Sequence, residues 1–323
     1  MSALTTIALV TPALAQANNG NWQTANRWAH MLRPRYRVKL QANWQHGDEA
    51  LLIALHARRS APSLHAWRER HPGRPLVLVL TGTDLYRDIT DDAQAQQSLR
   101  LADRLVVLNE LGAAALPPEW RAKARVCLQS SPARLPAQAK TASHLRALMV
   151  GHLREEKDPR TYSEAARLLV NRRDILLDHI GAALDPALGE AAQALAAQQR
   201  NYRWLGACSH LRTIARIAAA DVLVHPSRME GGAHVVIEAI VSGTPVLASR
   251  IDGNLGLLGA DYAGIFEPGD AQGLARLIER VRDQPAMLQA LQHQCAQRAP
   301  LFEPARERAT LLHIIDEIME TRI

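Results

Sequence analysis

Aromatic residues and cysteines are scarce in this chain, and this scarcity already excludes several classes of protein. Aromatic residues make up 4% of the 323 residues, so alanine and leucine must fill most of the core volume. The three cysteines, Cys127, Cys208 and Cys295, are widely spaced and form no C-x-x-C pair. An odd number of distant cysteines argues against a disulfide framework or a zinc site and favours a reducing, cytoplasmic compartment. We therefore expect three small buried core thiols.

Long runs of charged or apolar residues are also absent. The 38 Lys and Arg residues outnumber the 32 Asp and Glu residues and give a net charge of +6, but they are scattered. This pattern suits small anionic substrates and argues against a nucleic-acid partner. No apolar run reaches the roughly 18 residues of a membrane span. The sequence contains no H-E-x-x-H or similar spacing of the kind that predicts a metal site. The sequence leaves the oligomeric state open.

The N-terminus has two interpretations. Residues 1–17 contain an apolar stretch that ends in A-L-A-Q-A, as a signal-peptidase site does. However, no Lys or Arg precedes the stretch, and Pro12 interrupts it. We favour a first β-strand from Leu4 to Val10, followed by a polar loop from Thr11 to Asn19, because the rest of a βαβ unit comes next.

Apolar strands alternate with helical segments along both halves of the chain. This alternation predicts parallel sheets with helices on both faces, and the length predicts two domains. The expected fold class is α/β, with two doubly wound Rossmann-like domains. The Pro/Ala/Ser-rich stretch Ser130 to His144 lacks periodicity and is interpreted as a linker. The expected domains are residues 1–135 and 145–303. They are followed by a C-terminal helix, 304–323, for which one option is that it packs back toward the first domain.

The polar residues that could carry chemistry follow predicted strands, where the ligand sites of parallel sheets lie. In the first half, His56 ends an apolar run, and a neutral imidazole there could donate a hydrogen bond or act as a general base. A structural histidine is equally compatible. Arg58 and Arg59 could bind an anionic acceptor or be ordinary surface charges.

In the second half, the stretch Asp221 to Arg250 predicts a strand, a polar loop, a helix and a second strand. Glu230 and Glu238 are eight positions apart, and Gly231-Gly232 leaves amide groups open to an anion before the helix. Glu238 is placed to hold ribose hydroxyls. Lys157, beside Arg154, suits a diphosphate. The alternative interpretation of Gly231-Gly232 is a simple turn, and that of Glu238 and Lys157 is a solvated surface charge.

This stretch resembles the donor-site signature of family-4 glycosyltransferases with the GT-B fold. The residues that carry the likeness are H-P-S-R-M-E-G-G-A-H-V-V-I-E-A-I-V-S-G-T-P-V. The family pattern is roughly P-S-x-x-E-G-F-G-x-x-x-x-E-A-x-x-x-G-x-P-V. The segment Gly151 to Lys157 is similar to the family's G-R-L-x-x-x-K. The resemblance implies the GT-B architecture, in which two Rossmann-like domains face across a cleft.

A closer resemblance covers nearly the full chain and is to the selenosugar synthases of the SenB type. It is carried by T-A-N-R-W-A, L-H-A-R-R-S, P-L-V-L-V-L-T-G-T-D-L-Y-R-D and V-G-H-L-R-E-E-K-D-P. These enzymes join selenium from selenophosphate to the anomeric carbon of a UDP-sugar, in selenoneine biosynthesis. The resemblance implies UDP-GlcNAc or UDP-glucose as the donor, release of UDP, and no metal or other cofactor.

The resemblance also implies a role for each matching residue. Lys157 would offset the charge on the departing UDP, Glu230 would face the sugar, and His56 would lie near the reacting carbon. The donor-binding residues would be Glu238, Gly231, Gly232, Ala233, His234, Arg154 and His152. The acceptor-binding residues would be Asn21, Thr24, Arg27, Arg58, Thr83 and Arg87.

Two departures from the family pattern affect these roles. His152 occupies the position at which the family usually has an arginine that binds the diphosphate. Either Arg154 replaces that arginine, or His152 itself binds the diphosphate. Gly232-Ala233 replaces Phe-Gly, which leaves the identity of the donor sugar open. The selenium of selenophosphate is already an anionic nucleophile, so His56 need not act as a base.

Two other functions remain as alternatives. One is an ordinary glycosyltransferase that acts on a lipid or saccharide hydroxyl. The other is a non-catalytic protein that binds sugar nucleotides or nucleic acid, against which the two glutamates and Lys157 argue.

Overall fold

Two parallel β-sheets organise the chain, which the computed structural model describes over residues 4–12, 20–134 and 140–320. The described residues divide into two compact units. The first comprises the described parts of Met1–Ser130, Glu230–Gly232 and Pro304–Ile323, and the second comprises those of Ser131–Met229 and Ala233–Glu303. Glu230–Gly232 therefore groups with the first unit, although the sequence places these residues within the predicted second domain. The expected α/β class with two parallel sheets is confirmed.

The first sheet has the strand order β2-β1-β3-β4-β5-β6. Its strands are β1 (Thr6–Val10), β2 (Arg37–Gln41), β3 (Leu51–Leu55), β4 (Leu76–Leu80), β5 (Arg104–Val107) and β6 (Ala124–Val126). β1 pairs in parallel with β2 and with β3, so the prediction of a first strand near the N-terminus is confirmed, with a start two residues later. The strongly apolar β3 and β4 are buried at every position, as strands covered on both faces must be.

The second sheet has the strand order β12-β11-β10-β7-β8-β9. Its strands are β7 (Leu145–Val150), β8 (Ile175–Ile180), β9 (Tyr202–Trp204), β10 (Val222–His225), β11 (Val246–Ser249) and β12 (Ile265–Phe266). β10 lies next to the central β7 and is buried at all four positions. The carboxyl end of β10 leads directly into the polar loop between β10 and α8, which contains Glu230 and the glycine pair.

Helices flank both sheets. They are α1 (Gly20–Leu32), α2 (Ala61–Arg70), α3 (Ile89–Asp91), α4 (Ala93–Leu101), α5 (Pro159–Leu168), α6 (Pro186–Gln198), α7 (His210–Ala219), α8 (His234–Val241), α9 (Asp252–Leu258), α10 (Ala271–Asp283), α11 (Pro285–Arg298) and α12 (Pro304–Glu320). Asp158 caps α5 by accepting a hydrogen bond from the Thr161 amide, with Pro159 at the first position.

The first unit has a hydrophobic core on each face of its sheet. On one face, Leu311 and Ile315 of α12 pack with Trp28 and Leu32 of α1 against the strands. On the other face, α2 and α4 cover the sheet through side chains such as Trp67. Burial of these apolar side chains is the main force that stabilises the layers. The last described helix is thus part of the core of the first unit.

Three local features differ from the sequence predictions or lie beyond them. Asp84–Asp88 forms one turn of π-helix, and Asp252–Leu258 forms a helix that was not predicted because Gly253 and Gly256 have low helix propensity. Cys127 and Cys295 are buried as expected, but Cys208 is only half-buried. Residues 13–19 of the predicted polar loop and residues 135–139 of the predicted linker lie outside the described residues.

Candidate functional site

Glu238 lies on α8 at the carboxyl end of the second sheet and is 5% exposed. α8 begins directly after the loop that follows β10 and ends at Val241, two residues before Gly243, whose φ of +71° suits glycine. One carboxylate oxygen of Glu238 lies 3.0 Å from His234 Nδ1, one helical turn earlier, and 3.6 Å from His210 Nε2. The sequence did not predict His210, because α7 carries no motif residue. These contacts orient a carboxylate that can accept hydrogen bonds from a diol.

The turn after β7 contains the predicted phosphate-binding residues His152, Arg154 and Lys157. The Lys157 side chain packs over Gly151, where an added Cβ would lie 3.5 Å from Lys157 Cγ. The amide of Ala182 donates a hydrogen bond to His152 Nδ1 (3.1 Å). Burial, and then the charges of Arg154 and Lys157, lower the pKa of His152. The turn therefore combines a neutral imidazole with two nearby cations.

Arg228, which follows β10, fixes this turn from the opposite side. Its amide donates to the Glu156 carbonyl (2.9 Å), and its Nε lies 3.1 Å from Asp158 Oδ2. Asp158 is 2% exposed and also accepts a hydrogen bond from the Thr161 hydroxyl (2.8 Å). Arg228 could not be singled out from the sequence, because its role depends on the pairing of β10 with β7 rather than on spacing.

A cavity of about 470 Å³ opens beside α5 in the second unit. Its charged lining residues are Asp158, Arg160, Glu164, Arg167 and Arg228. None of the predicted donor-binding residues is among the described residues that line it. It adjoins the Lys157 turn only through Asp158, so the chemistry predicted from the sequence does not depend on it.

The segment Glu230–Gly232 packs closely against loops of the first sheet. An added Cβ on Gly231 would lie 2.5 Å from the Thr81 carbonyl carbon, so only glycine fits there. The Asn109 side-chain amide donates to the Gly231 carbonyl (2.7 Å). An added Cβ on Gly232 would lie 2.7 Å from Leu108 Cβ. Close packing therefore explains the glycine pair, and anion binding by its amides stays a prediction.

His56 follows β3 and has a left-handed backbone conformation with φ of +75°. It is 2% exposed, and its Nε2 lies 3.3 Å from Thr83 Oγ1, which follows β4. Its two ring nitrogens lie 4.0 Å from Asp84 and from Asp88. Burial lowers the pKa of His56, and the charge of Asp84 opposes that shift. The imidazole is therefore neutral near pH 7 and can donate or accept a hydrogen bond.

Asp84 is a fully buried carboxylate that holds this loop in place. It accepts hydrogen bonds from the amides of Ala57, Thr81 and Gly82, each at 2.9 Å. These groups come from the loops after β3 and β4, so Asp84 joins the two loops. This role could not be predicted from the sequence, because an Asp in a T-G-T-D run has no distinctive spacing.

Arg58 and Arg87 meet at a second buried carboxylate, Asp88. Arg58 Nε lies 3.1 Å from Asp88 Oδ2, and Arg87 Nε lies 3.1 Å from Asp88 Oδ1. The two arginine side chains remain 40% and 46% exposed. Four predicted residues, namely His56, Arg58, Thr83 and Arg87, thus lie together at the carboxyl ends of β3 and β4.

The remaining predicted acceptor residues lie on α1 and have other partners. Arg27 forms a bidentate ion pair with the buried carboxylate of Glu307, at 2.9 and 3.0 Å. Thr24 Oγ1 donates to the Gly20 carbonyl (2.9 Å) and lies 2.5 Å from the Gln129 amide group. Asn21 is half-buried in the first turn of α1. None of the described contacts joins these three residues to His56, so their acceptor roles stay predictions.

Two structural findings concern the predicted absence of a membrane span and of a metal site. Among residues 4–12, 20–134 and 140–320, no helix combines the length and apolar character that crossing a bilayer requires. The same described residues contain no group of three or more His, Cys, Asp or Glu side chains that could hold a metal ion.

Comparison with curated proteins gives relatives that match short stretches. Glycogen synthase of Mycobacterium tuberculosis is 34% identical over 101 residues, which cover 31% of this chain and 24% of the relative. The 2-deoxystreptamine glucosyltransferase of Streptomyces kanamyceticus is 32% identical over 139 residues, or 42% of this chain and 36% of the relative. The chain thus spans about a quarter to a third of the length of these relatives.

Solved structures resemble the chain over nearly its full length. Sucrose-phosphate synthase of Thermosynechococcus elongatus has a TM-score of 0.78 at 17% identity, and the match covers 98% of this chain and 100% of the synthase chain. Anabaena HepE, in complex with UDP and glucose, has a TM-score of 0.76 at 15% identity, and the match covers 97% of this chain and 100% of the HepE chain. At such low identity the likeness concerns the fold, and it confirms the GT-B fold expected from the sequence.

A family model described as glycosyl transferases group 1 matches residues 136–301, which are just over half of the chain. The matched range contains the Lys157 turn, the Glu230–Gly232 segment and Glu238. The chain therefore belongs to the group 1 glycosyl transferases.

Proposed function

We propose that this protein transfers a sugar from UDP-GlcNAc or UDP-glucose to selenophosphate, forming a carbon–selenium bond and releasing UDP. The observation that carries the donor half is the arrangement of Glu238 and the Lys157 turn at the carboxyl end of the second sheet. A buried carboxylate and a cationic turn suit a ribose and a diphosphate. The UDP in the HepE complex supports the same donor class.

In the proposed reaction, a selenium electron pair attacks the anomeric carbon, and the bond from that carbon to the UDP oxygen breaks. The electrons of this bond leave on the diphosphate, where Lys157 and Arg154 would offset the developing charge. Neutral His152 would donate a hydrogen bond, and Glu230 with the amides of residues 231–234 would hold the sugar. Because two cations serve the leaving group, we propose that the reaction needs no metal ion.

The acceptor half rests on the full-length resemblance, supported by the cluster at the carboxyl ends of β3 and β4. Arg58 and Arg87 supply positive charge there, and Thr83 and His56 supply hydrogen-bonding groups. A selenophosphate anion matches these groups in charge. Its selenium is already nucleophilic, so His56 would orient the acceptor rather than remove a proton. Asn21, Thr24 and Arg27 are proposed to complete the acceptor side.

The second candidate is transfer of a sugar to a lipid or saccharide hydroxyl. It is favoured by relatives whose names, glycogen synthase and 2-deoxystreptamine glucosyltransferase, do not involve selenium. A hydroxyl acceptor needs deprotonation, and His56 would then be the candidate base. The two candidates therefore differ in whether activity depends on selenophosphate.

The test is UDP release from UDP-GlcNAc and from UDP-glucose, with and without selenophosphate. We expect release that requires selenophosphate with at least one donor and that inorganic phosphate does not replace. Equal release with and without selenophosphate, or none with either donor, would refute the selenium assignment.

A further inference from the structure

Two buried side-chain amides of the first unit, Asn109 and Gln129, lie near the carboxyl end of the first sheet and belong to no sequence motif. Asn109 comes just after β5 and is fully buried, and Gln129 comes just after β6 and is 2% exposed. Burial of an amide is costly unless its oxygen and its N–H groups find hydrogen-bonding partners. The partners of these two side chains therefore indicate what the side chains do.

The contacts of Asn109 fix which side of its amide faces the glycine pair. The Leu111 amide, which can only donate, lies 2.9 Å from Asn109 Oδ1. Asn109 Nδ2 therefore lies on the other side, where it donates to the Gly231 carbonyl (2.7 Å) and lies 3.0 Å from the Tyr86 hydroxyl. One N–H donor of Asn109 is thus committed to the backbone directly after Glu230.

Gln129 holds the next carbonyl in the same way. Its amide lies between Arg27 Nη2 and the Gly232 carbonyl, each at 3.2 Å. A guanidinium can only donate and a carbonyl can only accept, so the Gln129 oxygen faces Arg27 and its nitrogen donates to Gly232. Arg27 is itself fixed by its bidentate ion pair with Glu307. A continuous chain of contacts therefore runs from Glu307 through Arg27 and Gln129 to the glycine pair.

The two anchored carbonyls also set the direction of two backbone amides. None of the described peptide bonds is cis, and a trans peptide points its N–H opposite to its C=O. The amides of Gly232 and Ala233 therefore point away from the side chains of Asn109 and Gln129. The carboxylate of Glu230 belongs to the residue just before this anchored pair. A carboxylate and two oriented amides in one short segment suit the hydroxyl groups of a sugar, which both donate and accept hydrogen bonds.

We propose that Asn109 and Gln129 are positioning residues for the donor sugar. They hold the carbonyls of Gly231 and Gly232 and thereby orient Glu230 and the amides that follow it toward the sugar of the UDP-sugar. The inference rests on the proposed function for the role of Glu230 at the donor sugar, but it does not depend on the identity of the acceptor. It assigns the recognition of the sugar in part to side chains that follow strands of the first sheet.

The test measures the dissociation constants of UDP, UDP-glucose and UDP-GlcNAc for the full chain by isothermal titration, in wild type, Asn109→Leu and Gln129→Met. Each substitution keeps a similar shape but removes the donor to a glycine carbonyl. We expect each variant to bind the UDP-sugars about tenfold more weakly, because a buried carbonyl loses its partner, while UDP binding changes less than about twofold. A general folding defect would weaken UDP binding as well.

The matched control is Asn201→Leu in the second unit. Asn201 is also buried and donates to a backbone carbonyl, that of Leu169 (3.0 Å), but it precedes β9 and so lies at the amino end of that strand. Its loss should leave the ratio of UDP-sugar to UDP affinity unchanged.

Two results would overturn the inference, namely UDP-sugar binding that is the same in Asn109→Leu and Gln129→Met as in wild type, or UDP-sugar binding that Asn201→Leu weakens equally. Failure of the proposed function would look different. In that case UDP-sugar binding would still depend on Asn109 and Gln129, but selenophosphate would not be required for UDP release.

Discussion

The two units assemble their candidate residues in different ways. In the second unit, Glu238 and His234 lie one turn apart on α8, and Lys157 follows β7 within one short turn. In the first unit, His56 follows β3, whereas Thr83 and Arg87 follow β4, and the parallel pairing of these strands brings them together. The candidate donor residues are therefore placed largely by local spacing, and the candidate acceptor residues by the sheet.

The buried carboxylates of the two units differ accordingly. In the second unit, Glu238 is contacted by two histidine side chains, and we propose that it binds a ligand's hydroxyl groups. In the first unit, Asp84 is committed to backbone amides, and Asp88 to two arginines. A loss of the carboxylate should thus affect donor binding in one unit and folding or acceptor binding in the other.

The largest expected effect concerns the Lys157 turn of the second unit. Lys157→Ala should lower kcat by about 100-fold to 1,000-fold, because a cation at the leaving diphosphate acts most strongly in the transition state. The matched control is Arg160→Ala, which removes an exposed cation three positions later. Turnover by the Lys157 variant within about twofold of the control would remove Lys157 from the mechanism.

A pair of variants sharpens the contrast between carboxylates. Asp84→Ala should lower the free energy of unfolding by about 3 kcal/mol, because the amides of Ala57, Thr81 and Gly82 lose their acceptor. Glu238→Ala should instead raise the dissociation constant of UDP about tenfold with a smaller loss of stability. Urea denaturation and calorimetric titration of UDP measure the two effects. A large loss of stability in Glu238→Ala together with weaker UDP binding in Asp84→Ala would contradict the roles assigned to the two carboxylates.

A smaller expected effect on stability than that of Asp84→Ala concerns a buried histidine of the second unit. Burial lowers the pKa of His179 to about 4, and its ring lies 3.1 Å from the Gly151 carbonyl and 3.2 Å from the Tyr202 hydroxyl. The unfolded chain therefore binds this proton first as the pH falls. Stability should be unaffected above pH about 6.5 and should drop by about 2 kcal/mol by pH 5.

Urea denaturation at pH 7.5 and pH 5 checks this contribution. His179→Gln removes the titrating group and should show a smaller loss between the two pH values, whatever its absolute stability. An equal loss in wild type and variant would assign the pH dependence to other groups.

Apolar runs were sufficient to predict many elements of the fold. Leu76–Leu80, Leu145–Val150 and Ile175–Ile180 form β4, β7 and β8, because five or six consecutive apolar or mainly apolar residues between polar turns suit a buried parallel strand. The π-helical turn at Asp84–Asp88 was missed, because its polar residues have no periodicity. Its shape depends on Asp84 accepting hydrogen bonds from two loops.

The candidate site shows the same division. Residues in a spaced motif, such as Glu238 and Lys157, could be singled out from the sequence. Asp88, His210 and Arg228 could not, because each acts through a partner distant in sequence, namely Arg58, Glu238 and Glu156. Arg27 illustrates the opposite error, in that a promising cation can have a buried partner, Glu307, on a helix 280 positions away.

The central claim is that selenium from selenophosphate becomes bonded to the donor sugar. The most direct measurement is the mass spectrum of the product formed from a UDP-sugar and selenophosphate. We predict a sugar that carries the selenium isotope pattern, formed together with UDP and strongly reduced with Lys157→Ala. A product without selenium, or UDP formed together with the free sugar alone, would contradict the account.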